Sequence, residues 1–113
     1  MFDQLFERSH ALTRQRSAPL ADERRRYISH CMAQGMAKRT LRLTAELLLA
    51  VEDRLRLGNR PNSLISRQEV EDEGESWSKR QAVPPIRVSP KLSKQRFIRH
   101  AIRWLSFMGR FSR

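Results

Sequence analysis

Residues 38–57, KRTLRLTAELLLAVEDRLRL, form the strongest helical pattern of the chain and decide its fold. Apolar and small side chains recur there every three or four residues, which places them on one face of a helix. This face consists of Leu41, Thr44, Ala45, Leu48, Val51 and Leu55. A second apolar face is made by Leu43, Leu47 and Ala50. The pattern predicts a central helix that is buried on two sides.

A shorter helix is predicted before the central one. Apolar residues recur there at helical spacing, namely Tyr27, Ile28, Cys31 and Met32. Acidic residues precede them, and Gly35 follows as a stop signal. These signals predict a helix over about residues 21–34, with Tyr27 and Cys31 in the core. Residues 1–18 are interpreted as an N-terminal arm, whose apolar spacing permits a short helix before Pro19.

A third helix is predicted after the central one. The motif SRQE at residues 66–69 is typical of a capping box and predicts a helix over residues 66–80, with Val70 and Trp77 buried. Pro84 and Pro85 interrupt any helix that follows, because proline lacks the amide proton that a helix interior requires. We therefore expect a linker over residues 81–89.

The last predicted helix runs from about residue 90 to Gly109. Its inward stripe is predicted to consist of Ile98, Ala101, Ile102, Leu105 and Met108. On its flank lie Phe97, Trp104 and Phe111. No segment alternates with the period of two that marks a strand. The sequence therefore predicts an all-α domain of four main helices over residues 19–110.

Charge is distributed unevenly along this chain. The 113 residues include 23 Lys and Arg against 12 Asp and Glu, which gives a formal net charge of +11. Residues 79–113 contain basic residues but no carboxylate. Unpaired like charges repel one another until anions neutralise them, so the segment predicts a polyanionic partner.

The basic residues of the last helix share one face. At about 100° per residue, Arg96, Arg99, Arg103 and Arg110 lie opposite the predicted apolar stripe. A second basic group, Lys38, Arg39 and Arg42, lies near the start of the central helix, where the helix dipole also favours an anion. We expect the two helices to share one anionic ligand.

Other chemistry finds little support in the sequence. Cys31 is the single cysteine and cannot form an internal disulfide, and the three histidines lie too far apart for metal-ligand spacing. The four glycines form no phosphate loop, and no apolar run approaches the roughly 20 residues that cross a bilayer. We therefore expect a soluble, cytoplasmic protein with no catalytic residues, metal or cofactor.

Three stretches of the sequence resemble, in the same order, the N-terminal core-binding domain of tyrosine recombinases, the SAM-like domain of the phage integrase family. They are PLADERRRYISHCMAQGMAKRTLRLTAELL, ISRQEVEDEGESW and SKQRFIRHAIRWLSFMGR. The resemblance covers about residues 19–109, and the last stretch is especially similar to integrases associated with transposons. It implies a bacterial, phage or mobile-element origin.

The resemblance implies a four-helix domain that grips one side of duplex DNA at a recombination half-site. In the family, DNA contacts come largely from the start of the second helix and from the fourth helix. With Arg110 added from the charge pattern, the candidate DNA-binding residues are Lys38, Arg39, Thr40, Arg42, Lys94, Gln95, Arg96, Arg99, Arg103 and Arg110. The family also forms contacts between recombinase protomers on DNA, whereas we expect a monomer in solution.

The resemblance also bears on catalysis. The family cleaves DNA with a tyrosine nucleophile in a separate C-terminal domain, which this sequence lacks, and the single tyrosine, Tyr27, lies in the first predicted helix. We therefore expect a DNA-binding domain for integration or recombination that has no enzymatic activity of its own.

Three alternatives remain open at this point. The basic helix could belong to an unrelated small helical binder of nucleic acid, including RNA. It could instead dock on an acidic protein, with Phe97, Trp104 and Phe111 as anchors, or lie on a membrane surface. We expect Trp104 in the core or at an interface, although its position close to the basic face would also allow it to contact DNA directly.

Overall fold

The computed structural model describes residue 5 and residues 9–60, 63–81 and 89–112. These ranges contain five α-helices: α1 Ser9–Ser17, α2 Ala21–Ala33, α3 Lys38–Leu55, α4 Arg67–Gln81 and α5 Pro90–Phe107. A 3-10 turn covers Leu57–Asn59, and the short strands β1 Ile65–Ser66 and β2 Phe111–Ser112 pair in parallel. Residues 82–88, the interior of the predicted linker, lie outside the described residues.

The described residues confirm the all-α class predicted from the sequence. α2, α4 and α5 agree closely with the predicted helices, and α1 lies within the predicted arm. α3 ends at Leu55 rather than at residue 57, because Arg56 adopts a φ of 53° and the chain tightens into the 3-10 turn. The β1–β2 pair was not predicted. No helix among the described residues is long and apolar enough to span a membrane.

The ends of the helices follow the signals in the sequence. Gly35 and Gly109 adopt φ values of +92° and +73° after α2 and α5, a conformation that favours glycine. At the start of α4, the Glu69 amide donates to Ser66 Oγ at 3.2 Å, which is half of the predicted capping box. The Glu69 carboxylate instead accepts from Arg60, with Nη2 to Oε1 at 3.1 Å.

The core is built around α3. Its predicted inward face is fully confirmed, since each of Leu41, Thr44, Ala45, Leu48, Val51 and Leu55 is at most 2% exposed. The prediction of a second buried face is wrong. Leu43 is 52% exposed, and Leu47 and Ala50 are half-buried. The reason is that α5 leaves an open groove beside this side of α3.

α5 faces the core with a different stripe from the one predicted. Ala101 and Leu105 are fully buried as predicted, but Ile98 and Ile102 are only half-buried. Phe97 and Trp104, predicted on the flank, are 0% exposed. At about 100° per residue, the buried face is thus rotated by about 60° from the predicted one. The two large rings bury more apolar area than the isoleucines, which explains the rotation.

Close packing between α4 and α5 fixes this orientation. The ring centroids of Trp77 and Phe97 lie 5.5 Å apart. Val70 is buried as predicted, whereas Trp77, also predicted to be buried, is half-buried. Gly74 lies where a Cβ atom would come within 3.1 Å of Ile98 Cγ1 and 3.3 Å of Phe97 Cδ1. The absence of a side chain at Gly74 therefore lets the two helices approach closely.

The N-terminal residues contribute to the core. Leu5 is 1% exposed, and its carbonyl oxygen accepts a hydrogen bond from Arg42 Nε at 2.9 Å. Gln15 of α1 is also fully buried, against Arg24 of α2. Tyr27 and Cys31 are buried as predicted, whereas Met32 of the same predicted stripe is 37% exposed. Burial, with a smaller contribution from Cys31, raises the pKa of Tyr27 to about 12.

Candidate nucleic-acid interface

The solvent face of α5 carries a row of three arginines. Arg96, Arg99 and Arg103 are all exposed, on the side opposite the buried rings. Within the described ranges, no carboxylate forms an ion pair with any of the three. The spacing of three and four residues places their Cα atoms along about 10 Å of the helix axis. The row therefore presents uncompensated positive charge to solvent.

Two open grooves flank this arginine row. The first, called here the α3–α5 groove, is lined by Thr40, Leu43, Thr44, Glu46, Leu47, Trp77, Ser93, Arg96 and His100. The second, the α4–α5 groove, is lined by Arg67, Gln95, Ile98, Arg99, Ile102 and Arg103. The arginine row is thus the ridge between two concave surfaces.

The start of α3 contributes to the same surface as α5. Lys38, Arg39 and Thr40 are exposed in the first turn of α3, and Thr40 lines the α3–α5 groove together with Arg96. The structure therefore brings one residue of each predicted group, Thr40 and Arg96, to one groove, which the carboxylate of Glu46 also lines. Lys38, Arg39 and Arg42 do not line this groove. Gln95 is also exposed, and it lines the other groove beside Arg99.

Three of the predicted binding residues have partners within the protein. Lys94 Nζ lies 2.7 Å from Glu75 Oε2, and this contact lowers the pKa of Glu75 and raises the pKa of Lys94. Arg110 donates to the backbone carbonyl oxygens of Ser63 and Arg60. Arg42 donates to Leu5. Among the predicted binding residues, the charged side chains with no such partner in the described chain are those of the arginine row, Lys38 and Arg39.

Trp104 does not reach the surface. It is 0% exposed, and its indole Nε1 is buried without a hydrogen-bond partner among the described residues. The predicted core position of Trp104 is therefore confirmed, and the alternative that it contacts DNA is wrong. Phe97 is likewise 0% exposed, so neither ring is accessible as an anchor for a partner protein. The two rings stabilise the helix that carries the arginines.

His100 lies beneath the arginine row and was not predicted to take part in the site. Its Nδ1 atom is buried without a hydrogen-bond partner among the described residues. Burial, with smaller contributions from Arg99, Arg103 and Arg96, lowers the pKa of His100 to about 4. The ring is therefore neutral at physiological pH, and the positive charge of α5 comes from its arginines and lysines.

We expect the free protein to lose stability as the pH falls from about 7 to about 5. The pKa of His100 lies near 4 in the folded state and near 6.5 when the chain is unfolded, so the unfolded chain binds more protons in this interval. Protonation then favours unfolding. The free energy of unfolding, measured with urea at both pH values, should change less with pH in His100→Gln than in the unsubstituted protein. A pH dependence of His100→Gln equal to that of the unsubstituted protein would contradict this assignment.

Arg67 is the basic residue of this surface that sequence reasoning missed. It lies in the acidic segment at the start of α4, and its side chain is 61% exposed. No pattern of charge along the chain distinguishes it. Only the antiparallel packing of α4 on α5 places it beside Arg99 and Arg103.

No group of three His, Cys, Asp or Glu residues in the described ranges could hold a metal ion. The comparisons with known proteins add no assignment: no family model, no curated protein and no solved structure matches the chain. The resemblance to tyrosine recombinases therefore stays a prediction from the sequence.

Proposed function

We propose that this protein is a duplex-DNA-binding domain of the kind that site-specific tyrosine recombinases use to hold a recombination half-site, with a four-helix SAM-like core. The observation that carries the proposal is the arginine row of α5, which is exposed and has no carboxylate partner in the described residues. An array of guanidinium groups at this spacing suits the phosphates of a nucleic-acid backbone.

The shape of the surface supports duplex DNA over duplex RNA. A single helix with its side chains is about 10–12 Å wide, and the major groove of B-form DNA is about 12 Å wide. The major groove of A-form RNA is too narrow to admit such a ridge. α5 is a ridge between two grooves, so it presents the convex shape that the DNA groove accepts.

The residues divide into two roles. Arg96, Arg99 and Arg103 would neutralise phosphates, which sets the affinity and the register without reading sequence. Thr40 and Gln95 are exposed polar residues on either side of the ridge, where they can reach base edges. We therefore propose strong general binding to duplex DNA with limited sequence preference.

The proposal is for a binding protein without strand-cleaving activity. The single tyrosine, Tyr27, is 6% exposed, and burial raises its pKa to about 12. A buried neutral phenol is a poor nucleophile, so Tyr27 serves the core.

A competition experiment tests which nucleic acid the surface prefers. The protein is bound to a labelled duplex of about 30 base pairs, and unlabelled duplex DNA or structured RNA of equal charge is added. We expect duplex DNA to compete at least about tenfold better, because only its groove accepts the ridge. Better competition by RNA would replace the proposal with an RNA-binding function. If neither competitor releases the labelled duplex, the proposal that α5 binds the groove of a nucleic acid is contradicted.

A further inference from the structure

We propose that the α4–α5 groove is a cradle for one backbone phosphodiester and its sugar, and that Arg67 is its third guanidinium. This inference rests on the proposed function, since the ligand is a nucleotide unit of the DNA that α5 binds. It extends the DNA-binding surface to a helix that neither the charge pattern nor the resemblance included.

Arg67 meets the arginine row because α4 and α5 run antiparallel. Lys94 near the start of α5 pairs with Glu75, and Gly74 packs on Ile98. The start of α4 therefore lies beside the later turns of α5, where Arg67 lines the groove with Arg99 and Arg103. Three guanidinium groups from two helices surround one concave surface.

The floor of this groove is apolar. Ile98 and Ile102 are half-buried and line the space between the three arginines. A guanidinium binds a phosphate through paired hydrogen bonds, and an apolar floor suits the sugar carbons attached to that phosphate. The groove has a volume of about 500 Å³, enough to hold one nucleotide unit. Its chemistry fits an anion with an apolar substituent.

The nearby carboxylates leave most of this charge uncompensated. Glu71 Oε1 lies 4.0 Å from Arg67 Nη1, at the limit of an ion pair between exposed groups. Glu75 is held by Lys94, and Glu69 is held by Arg60. Arg99 and Arg103 have no ion-pair partner among the described residues. Asp72 of α4, like Glu71, lies within electrostatic reach of Lys94. The three guanidinium groups therefore outnumber the two nearby carboxylates, of which only Glu71 approaches one of them.

Phe111 lies beside Arg67. The guanidinium carbon of Arg67 lies 6.0 Å from the centre of the Phe111 ring, at the outer limit of a cation–π contact. The backbone of Phe111 pairs in β2 with Ile65 of β1, immediately before α4. Arg67 thus has only weak contacts within the described protein, which leaves its guanidinium available to a phosphate.

Arg67→Gln tests the cradle, and Arg56→Gln is its matched control. Both residues are exposed and both substitutions remove one positive charge, but Arg56 lines a different surface together with Asp53, Glu69 and Glu73. Duplex binding is measured by fluorescence anisotropy across a salt series. Unfolding midpoints of both variants establish that each still folds.

We expect Arg67→Gln to lower the salt slope by about 0.9 and to weaken duplex binding by about tenfold at about 0.1 M salt. Arg56→Gln should change affinity by less than about twofold, because it removes charge without removing a phosphate contact. Equal effects of the two variants would overturn the cradle while leaving the proposed function intact. Absence of duplex binding by the unsubstituted protein would overturn both.

Discussion

Arg24→Ala is expected to lower the free energy of unfolding by about 3–5 kcal/mol. Arg24 is 0% exposed, although it lies in the run Arg24-Arg25-Arg26. Its guanidinium donates to Gln15 Oε1 at 2.8 Å, to the carbonyl oxygen of Gln15 at 2.6 Å and to that of Ala18 at 3.0 Å. Its Nε donates to Pro19 at 3.2 Å. One side chain therefore supplies hydrogen bonds to the backbone carbonyl oxygens at the end of α1 and in the turn into α2.

Removing Arg24 has two consequences that add to the loss of packing. The carbonyl oxygens at the end of α1 lose their donor, and each unsatisfied buried acceptor costs about 1–3 kcal/mol. Glu52 of α3, which is 7% exposed, also loses a nearby positive charge. Burial already raises the pKa of Glu52, so an uncompensated carboxylate there would be less stable still.

Urea unfolding measures this effect, with Arg26→Ala as the control. Arg26 is exposed two residues further along α2, so its replacement should change stability by less than about 0.5 kcal/mol. The turn that Arg24 holds also contains Leu20 at a φ of 60°, a conformation that L-residues adopt only when other contacts stabilise it. Equal stability of the two variants would contradict the role given to Arg24.

The second large effect is on binding. Replacing Arg96, Arg99 and Arg103 together by Gln is expected to weaken duplex binding on the order of 10³-fold at about 0.1 M salt. Each arginine that neutralises a phosphate contributes a slope of about 0.9 to the salt dependence, so the triple variant should lose about 2.7 from the slope. Stability should change little, because all three side chains are exposed.

A second triple variant separates the effect of direct phosphate contacts on binding from the effect of net charge. Arg14, Arg16 and Arg56 are exposed and line neither groove beside the arginine row. Replacing these three by Gln lowers the net charge by the same amount and should weaken duplex binding by less than about tenfold, through long-range electrostatics alone. A similar loss in both triple variants would show that binding depends on overall charge rather than on α5.

The helices could be predicted from the sequence because periodicity and end signals are local. The inward face of α3 repeats over the whole helix, and Gly35 and Gly109 mark the ends of helices without reference to the fold. The orientation of α5 could not be predicted in this way. Both candidate stripes are apolar, and the choice depends on Trp77 and Gly74 of α4, which pack against it.

The residues of the candidate site could be predicted only where the pattern of charge along the sequence identifies them. Arg96, Arg99 and Arg103 are recognisable because no acidic residue interleaves with them. Lys94 belongs to the same segment, but Glu75 of another helix engages it. Arg67 could not be predicted because its neighbours in sequence are acidic, whereas Arg99 and Arg103, which line the same groove, belong to another helix.

The salt dependence of duplex binding tests the central proposal most directly. The protein is titrated into a labelled duplex of about 30 base pairs while fluorescence anisotropy is followed at several salt concentrations. We expect binding with a log–log slope of about −3 or steeper, which corresponds to three or more neutralised phosphates. Absence of duplex binding at low salt, or binding that does not change with salt, would contradict the proposal and favour a protein partner for α5.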